Sequence, residues 1–171
     1  MKYHVANISK EMIEEMSKEI NNINNVILIS INDIGSSTKI ENTNFFKNIY
    51  TFYFEDIEDE YVYSIYNKED TIPIWAKGIS DHQAKKIAKI LLLSKNKHNI
   101  LVHCHAGVSR SGAITEIAVD LGFKLYNFSN LRTINQTVYK KIKNQLSLKY
   151  KISIYIKKII EFFLKNNKNS K

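Results

Sequence analysis

Apolar residues along this chain fall into short continuous runs that alternate with stretches of helical spacing. A short apolar start around Tyr3 to Ala6 predicts a strand. Ser9 then has the form of an N-cap for a helix to about Ile20, with Ile8, Met12, Met16 and Ile20 on one stripe and Glu11, Glu14 and Glu15 near its positive end. Val26 to Ile31 is an unbroken, isoleucine-rich run that suits a strand buried on both faces. Ile49 to Phe54 is a second such run, and it ends in the acidic stretch Glu55 to Glu60. Residues 61–79 read as an irregular excursion carrying Trp75 and the only proline, Pro73.

The stretch Ser80-Asp81-His82-Gln83 has the form of a capping box, and Ala84, Ile87, Ala88 and Leu91 continue it as an amphipathic helix to about Ser94. Asn99 to His103 predicts a short buried strand. Cys104-His105-Ala106-Gly107-Val108-Ser109-Arg110 follows at once, and then a helix from Ser111 to about Leu121, stopped by Gly122. Residues 130–147 and 150–165 have helical periodicity, although Ile152, Ile154 and Ile156 also alternate as a strand would; 166–171 read as a disordered tail.

Strands interleaved with helices imply an α/β fold, with a central, mostly parallel sheet of about four to five strands flanked by helices. No linker composition divides the chain, so residues 1–165 are expected to form a single domain. In such sheets ligands bind beyond the carboxyl ends of the strands. Residues 104–110 leave one such end and Asp56 leaves another, which predicts that both lie on one edge of the sheet.

With 171 residues, 44% hydrophobic and 25% charged, the chain has the composition of a globular domain able to bury a core without disulfides. Its opening residues hold no apolar run of signal-peptide length, and no window reaches the length of a membrane span, so a cytoplasmic address is expected. The net charge of +8 raises the question of a nucleic-acid partner, but the lysines are spread along the chain beside many Asn and Ile rather than gathered in a patch. Neither nucleic acid nor membrane is an expected partner, and the oligomeric state is not legible. Of 25 basic residues only Arg110 and Arg132 are arginine. The single cysteine, Cys104, has no intrachain partner for a disulfide.

A loop between a strand and a helix is a natural phosphate cradle, because successive backbone N–H groups converge on an anion while the helix start adds partial positive charge. His105, Ala106, Gly107, Val108 and Ser109 would supply that cradle, with Gly107 allowing close approach of the backbone. Cys104 at its mouth would attack as a thiolate. Arg110, six positions on, would hold two phosphoryl oxygens with its planar fork, a geometry lysine does not copy. Ser111 would donate its hydroxyl to the Cys104 sulfur, and His103 would bond the loop backbone and set its shape. His103, Cys104 and His105 are adjacent and do not converge on a tetrahedral ion, so no metal is expected.

The string His103 to Gly112, HCHAGVSRSG, resembles the signature loop His-Cys-x5-Arg-Ser/Thr of the cysteine-based protein-tyrosine and dual-specificity phosphatases, most closely the compact bacterial and viral type. The resemblance implies a phosphate-binding loop between strand and helix, a phosphorylated protein as substrate and no cofactor. It also implies a two-step reaction through a cysteinyl phosphate, with a carboxylic acid that protonates the leaving oxygen and later activates water. Asp56 is the first candidate for that acid, and Asp59 and Asp70 are the others. Two further functions stay open: a phosphatase of RNA 5′-triphosphates or phosphoinositides, and an inactive phosphate-binding module. Lipid-directed relatives usually carry lysine in the loop, and none stands between Cys104 and Arg110.

Overall fold

The computed structural model of the chain describes residues 3–19, 25–57, 77–126 and 133–147. Five strands, β1 (His4–Ser9), β2 (Val26–Asn32), β3 (Asn48–Tyr53), β4 (Asn99–Cys104) and β5 (Lys124–Leu125), form one sheet in the order β3-β2-β4-β1-β5. All the pairings are parallel. The helices are α1 (Lys10–Glu19), α2 (Asp81–Ser94), α3 (Arg110–Asp120) and α4 (136–147), and a single 3-10 turn spans Thr43–Phe45. The α/β class and the parallel sheet expected from the alternation of runs are therefore present. No helix among the described residues is long and apolar enough to cross a membrane.

The strands divide their side chains between two cores, as a period of two dictates. Val5, Ile27, Ile29, Ile31, Ile100 and Val102 face α2, α3 and α4, where they meet Ile87, Leu91, Ile114, Ile117, Val138 and Ile142. Ala6, Ile8, Leu28 and Leu101 face the other way, against Ile13 of α1 and the pair Phe45 and Phe46. A sheet covered on both faces explains why β2 and β4 read as continuous apolar runs. Each fully buried Ile or Leu in these layers contributes roughly 1.5–3 kcal/mol.

Helix ends follow their sequence signals closely. Ser9 Oγ accepts from Met12 N at the start of α1. At the start of α2, Ser80 Oγ accepts from Gln83 N, and Gln83 Oε1 accepts from Ser80 N, which completes the capping box. At the end of α3, Gly122 adopts φ 100°, and the amides of Gly122 and Phe123 close onto the carbonyls of Val119 and Ala118.

Several expectations are corrected. Of the expected stripe, Ile8 is buried and Met16 packs against the second core, but Met12 is 44% exposed, and Ile13 and Ser17 complete the buried face of α1 instead. The run Ile49 to Phe54 is not a doubly buried strand, because β3 is the edge of the sheet among the described residues and only Phe52 and Phe54 of the run are buried. α4 starts at 136, later than the periodicity from 130 suggests, because Asn135 caps it. The two-residue β5 is too short to leave a pattern in the sequence. Residues 61–76 of the excursion, the segment 148–165 and the 166–171 tail lie outside the described residues.

The topology places a crevice beside Cys104. β1 leads past β4 to β2, and β4 leads past β1 to β5, so connections leave these two neighbours in opposite directions. That reversal opens space beyond the carboxyl ends of β1 and β4, the usual ligand position in such sheets. Ser9 and Cys104 are partners in register at that point.

Removing the α2 cap tests the local account. Ser80→Ala is expected to cost about 1 kcal/mol, read as a lower midpoint in urea with an unchanged slope.

Candidate active site

Beyond Cys104 the chain turns sharply over the end of β1. Gly107 has φ 71°, and a Cβ there would sit 2.3 Å from the Ile8 carbonyl carbon and 2.4 Å from the Ser9 nitrogen. Only glycine fits, through both its left-handed backbone and the missing side chain. Asn7 Nδ2 donates to the Gly107 carbonyl at 2.7 Å, and the Lys10 amide donates to the His105 carbonyl at 3.1 Å. In a trans peptide unit the N–H points opposite to the C=O. With those carbonyls drawn toward the start of the chain, the amides of Ala106 and Val108 face away from it. No amide from residues 105 to 111 donates to a backbone acceptor among the described residues.

Arg110 opens α3 and is 3% exposed. Its Nη1 donates to the Phe54 carbonyl at 2.7 Å and lies 2.6 Å from Asp33 Oδ1. Phe54 immediately follows β3 and Asp33 immediately follows β2, so the guanidinium joins the carboxyl ends of two strands. Its Nε is buried without a hydrogen-bond partner, 4.0 Å from Asp56 Oδ2.

Asp56 is fixed by two donors on one oxygen. Ser109 Oγ donates to its Oδ1 at 2.8 Å and Asn135 Nδ2 at 2.9 Å. Ser109, the residue before α3, thus spends its hydroxyl on Asp56 and makes no side-chain cap for its own helix. The Cys104 sulfur is 3.2 Å from Ser111 Oγ, as expected of that pair, and the residue is 1% exposed.

His103 points to the opposite face of the sheet, where its Nε2 pairs with Ser30 Oγ at 2.7 Å. Its Nδ1 meets no partner at full hydrogen-bond geometry, although the Cys104 backbone is close enough to favour the charged ring slightly. Burial dominates and lowers the His103 pKa to about 4. The ring is neutral at pH 7, and its hydrogen bond runs to Ser30 of β2 rather than to the 105–110 backbone.

The structure thus brings Cys104, Arg110, Ser111, Asp56 and the 105–109 turn to one edge, as the topology of strands and helices predicts. Asp59 and Asp70, the other candidate acids, lie outside the described residues. Two participants escape a reading of the sequence. Asp33 is signalled only as the first charged residue after an apolar run, and Asn135 only as a cap-forming residue before a periodic stretch. A separate groove of about 800 Å³ between β3 and α2, lined by Tyr50, Phe52, Lys86 and Ile90 among others, contains none of these site residues.

Two measurements probe this arrangement. Gly107→Ala is expected to displace the turn and destabilise the chain by more than about 1 kcal/mol, since a φ-positive site and a backbone clash act together. For His103, the folded pKa of about 4 lies below the ordinary 6.5, so the unfolded chain binds the extra proton between those values. Stability is then fully present above pH 6.5 and falls as pH drops toward 4, by on the order of 3 kcal/mol. Urea midpoints across that window should show this slope in the wild type and its loss in His103→Asn.

Comparison of the chain with protein-family models, with curated proteins and with solved structures returns no match.

Proposed function

We propose that the chain is a cysteine-dependent phosphatase that hydrolyses phosphotyrosine in proteins, with phosphoserine and phosphothreonine as further substrates of the same chemistry. The observation that carries this reading is the buried Arg110 Nε, which lacks a partner beside a turn whose amides also lack backbone acceptors among the described residues. A buried guanidinium donor is costly unless something accepts from it, and a phosphoryl oxyanion would accept from it and from the amides of the turn at once. Asp33 and the Phe54 carbonyl occupy Nη1, which fixes the plane of the fork and leaves the Nε side for the anion.

In the first step the Cys104 sulfur attacks phosphorus, an S–P bond forms, and the P–O bond to the leaving group breaks. Asp56 gives its proton to the departing oxygen, which leaves as a neutral alcohol or phenol. In the second step water attacks phosphorus, Asp56 takes a proton from it, and the S–P bond breaks to release inorganic phosphate. Ser111, 3.2 Å from the sulfur, supports the departing thiolate by donating its hydroxyl. The amides of 105–110 and the start of α3 hold the equatorial oxygens throughout.

The resemblance of residues 103–112 to the phosphatase signature supports the same chemistry, and the lack of lysine between Cys104 and Arg110 weighs against phosphoinositide substrates. A cytoplasmic address accords with a mechanism that needs its one thiol reduced.

The test is hydrolysis of p-nitrophenyl phosphate and a phosphotyrosine peptide without added metal. Cys104→Ser is expected to fall to background, and Asp56→Asn to lose roughly a hundredfold or more on the peptide. Turnover that survives Cys104→Ser overturns the assignment. A triphosphorylated RNA hydrolysed in preference to the peptide moves the substrate class and leaves the mechanism standing.

A further inference from the structure

Asn135 is 2% exposed and belongs to neither the 104–110 turn nor the strand end that carries Asp56, yet it bonds to both. Its backbone amide donates to the Ser109 carbonyl at 3.2 Å. Its side-chain oxygen accepts from the Val138 amide at 2.9 Å, the capping bond at the start of α4. That bond settles the orientation of the planar side chain, because the oxygen faces a donor and the NH2 group must point the other way. The NH2 group there meets two oxygens, Asp56 Oδ1 at 2.9 Å and the Ile57 carbonyl at 3.4 Å. A flipped side chain would set oxygen against oxygen at one end and donor against donor at the other.

Asp56 Oδ1 therefore receives two hydrogen bonds, from Asn135 and Ser109. An oxygen that accepts twice has no room for a proton of its own in the same plane. The proton of a neutral Asp56 must ride on Oδ2, the oxygen on the Arg110 side at 4.0 Å from Nε. We infer that Asn135 is a positioning residue for the phosphatase reaction: it turns Asp56 so that Oδ2 faces the phosphoryl site and is the atom that gives the proton to the leaving oxygen. The inference rests on the phosphatase reading. It adds that α4, far from the signature in sequence, sets the aim of the acid.

A capping role and a positioning role come apart in Asn135→Asp. Aspartate caps a helix as well as asparagine does, so the bond to Val138 is retained. The NH2 donor is replaced by an oxygen that repels Asp56 Oδ1. Aiming an acid matters most when the leaving group is a poor one, because a good leaving group departs without a proton.

The experiment measures kcat/KM, which reports the leaving-group step, for phenyl phosphate and for 2,4-dinitrophenyl phosphate, in wild type, Asn135→Asp and Asp56→Asn. Asn135→Asp is expected to lose roughly ten- to a hundredfold on phenyl phosphate and less than about threefold on the dinitrophenyl ester, with the same selectivity as Asp56→Asn and a lower melting temperature, because its carboxylate is buried against that of Asp56. Asn135→Ser, which keeps a cap oxygen without the amide, carries the same comparison if Asn135→Asp does not fold. An equal loss on both esters in the Asn135 variants, beside a selective loss in Asp56→Asn, overturns this inference and leaves the phosphatase reading intact. A wild type with no Cys104-dependent hydrolysis of either ester overturns both.

Discussion

The charge of Arg110 is the constraint around which the carboxyl edge of the sheet is built. A guanidinium that is 3% exposed is sustained only when its charge is matched, because the uncompensated cost of burying an ion is several kilocalories per mole. Asp33 at the end of β2 and the Phe54 carbonyl at the end of β3 provide that match. The packing of two strand ends and the orientation of one side chain are consequently a single problem. Displacing either strand end would leave a buried charge unpaired, so the fork is held far more rigidly than a surface arginine.

On the other side of the crevice the backbone has a comparable role. Gly107 rests on the peptide between Ile8 and Ser9, and Asn7 and Lys10 draw two carbonyls of the turn toward themselves. The direction of the remaining amides follows from peptide planarity rather than from any side chain. The two halves of the crevice thus contribute differently, since β1 and α1 shape the turn while β2, β3 and α4 orient the charged groups around it. The proposed chemistry draws on both.

Much of this is legible in the residues themselves. Continuous apolar runs mark β2 and β4, and the cap signals at Ser9, Ser80 and Gly122 mark helix ends, because each rests on local chemistry that tertiary contacts rarely override. The shared edge of Asp56 and the 104–110 turn follows from the general rule for parallel sheets. β3 reads wrongly from sequence because an aromatic and branched run looks alike at the centre and at the edge of a sheet, and neighbours decide between them. On α1 the buried position is Ile13 rather than Met12, because both are apolar and only packing chooses. Asp33 and Asn135 are invisible in the sequence because their roles depend on partners brought close from distant segments, Arg110 in one case and Asp56 in the other. Neither residue type announces such a partner by spacing.

The location of β1 has a consequence for how the molecule comes into being. His4 and Asn99, 95 positions apart, are joined by a hydrogen bond, as are Asn7 and Gly107, 100 positions apart. β1 lies between β4 and β5, both of which emerge from the ribosome long after it. A central strand made first must wait with both flanks unpaired until its neighbours exist, and closing such long loops makes folding slow. A nascent chain halted short of β4 therefore has neither the 104–110 turn nor the strand that carries it, and Asn7 waits for its partner until both are made.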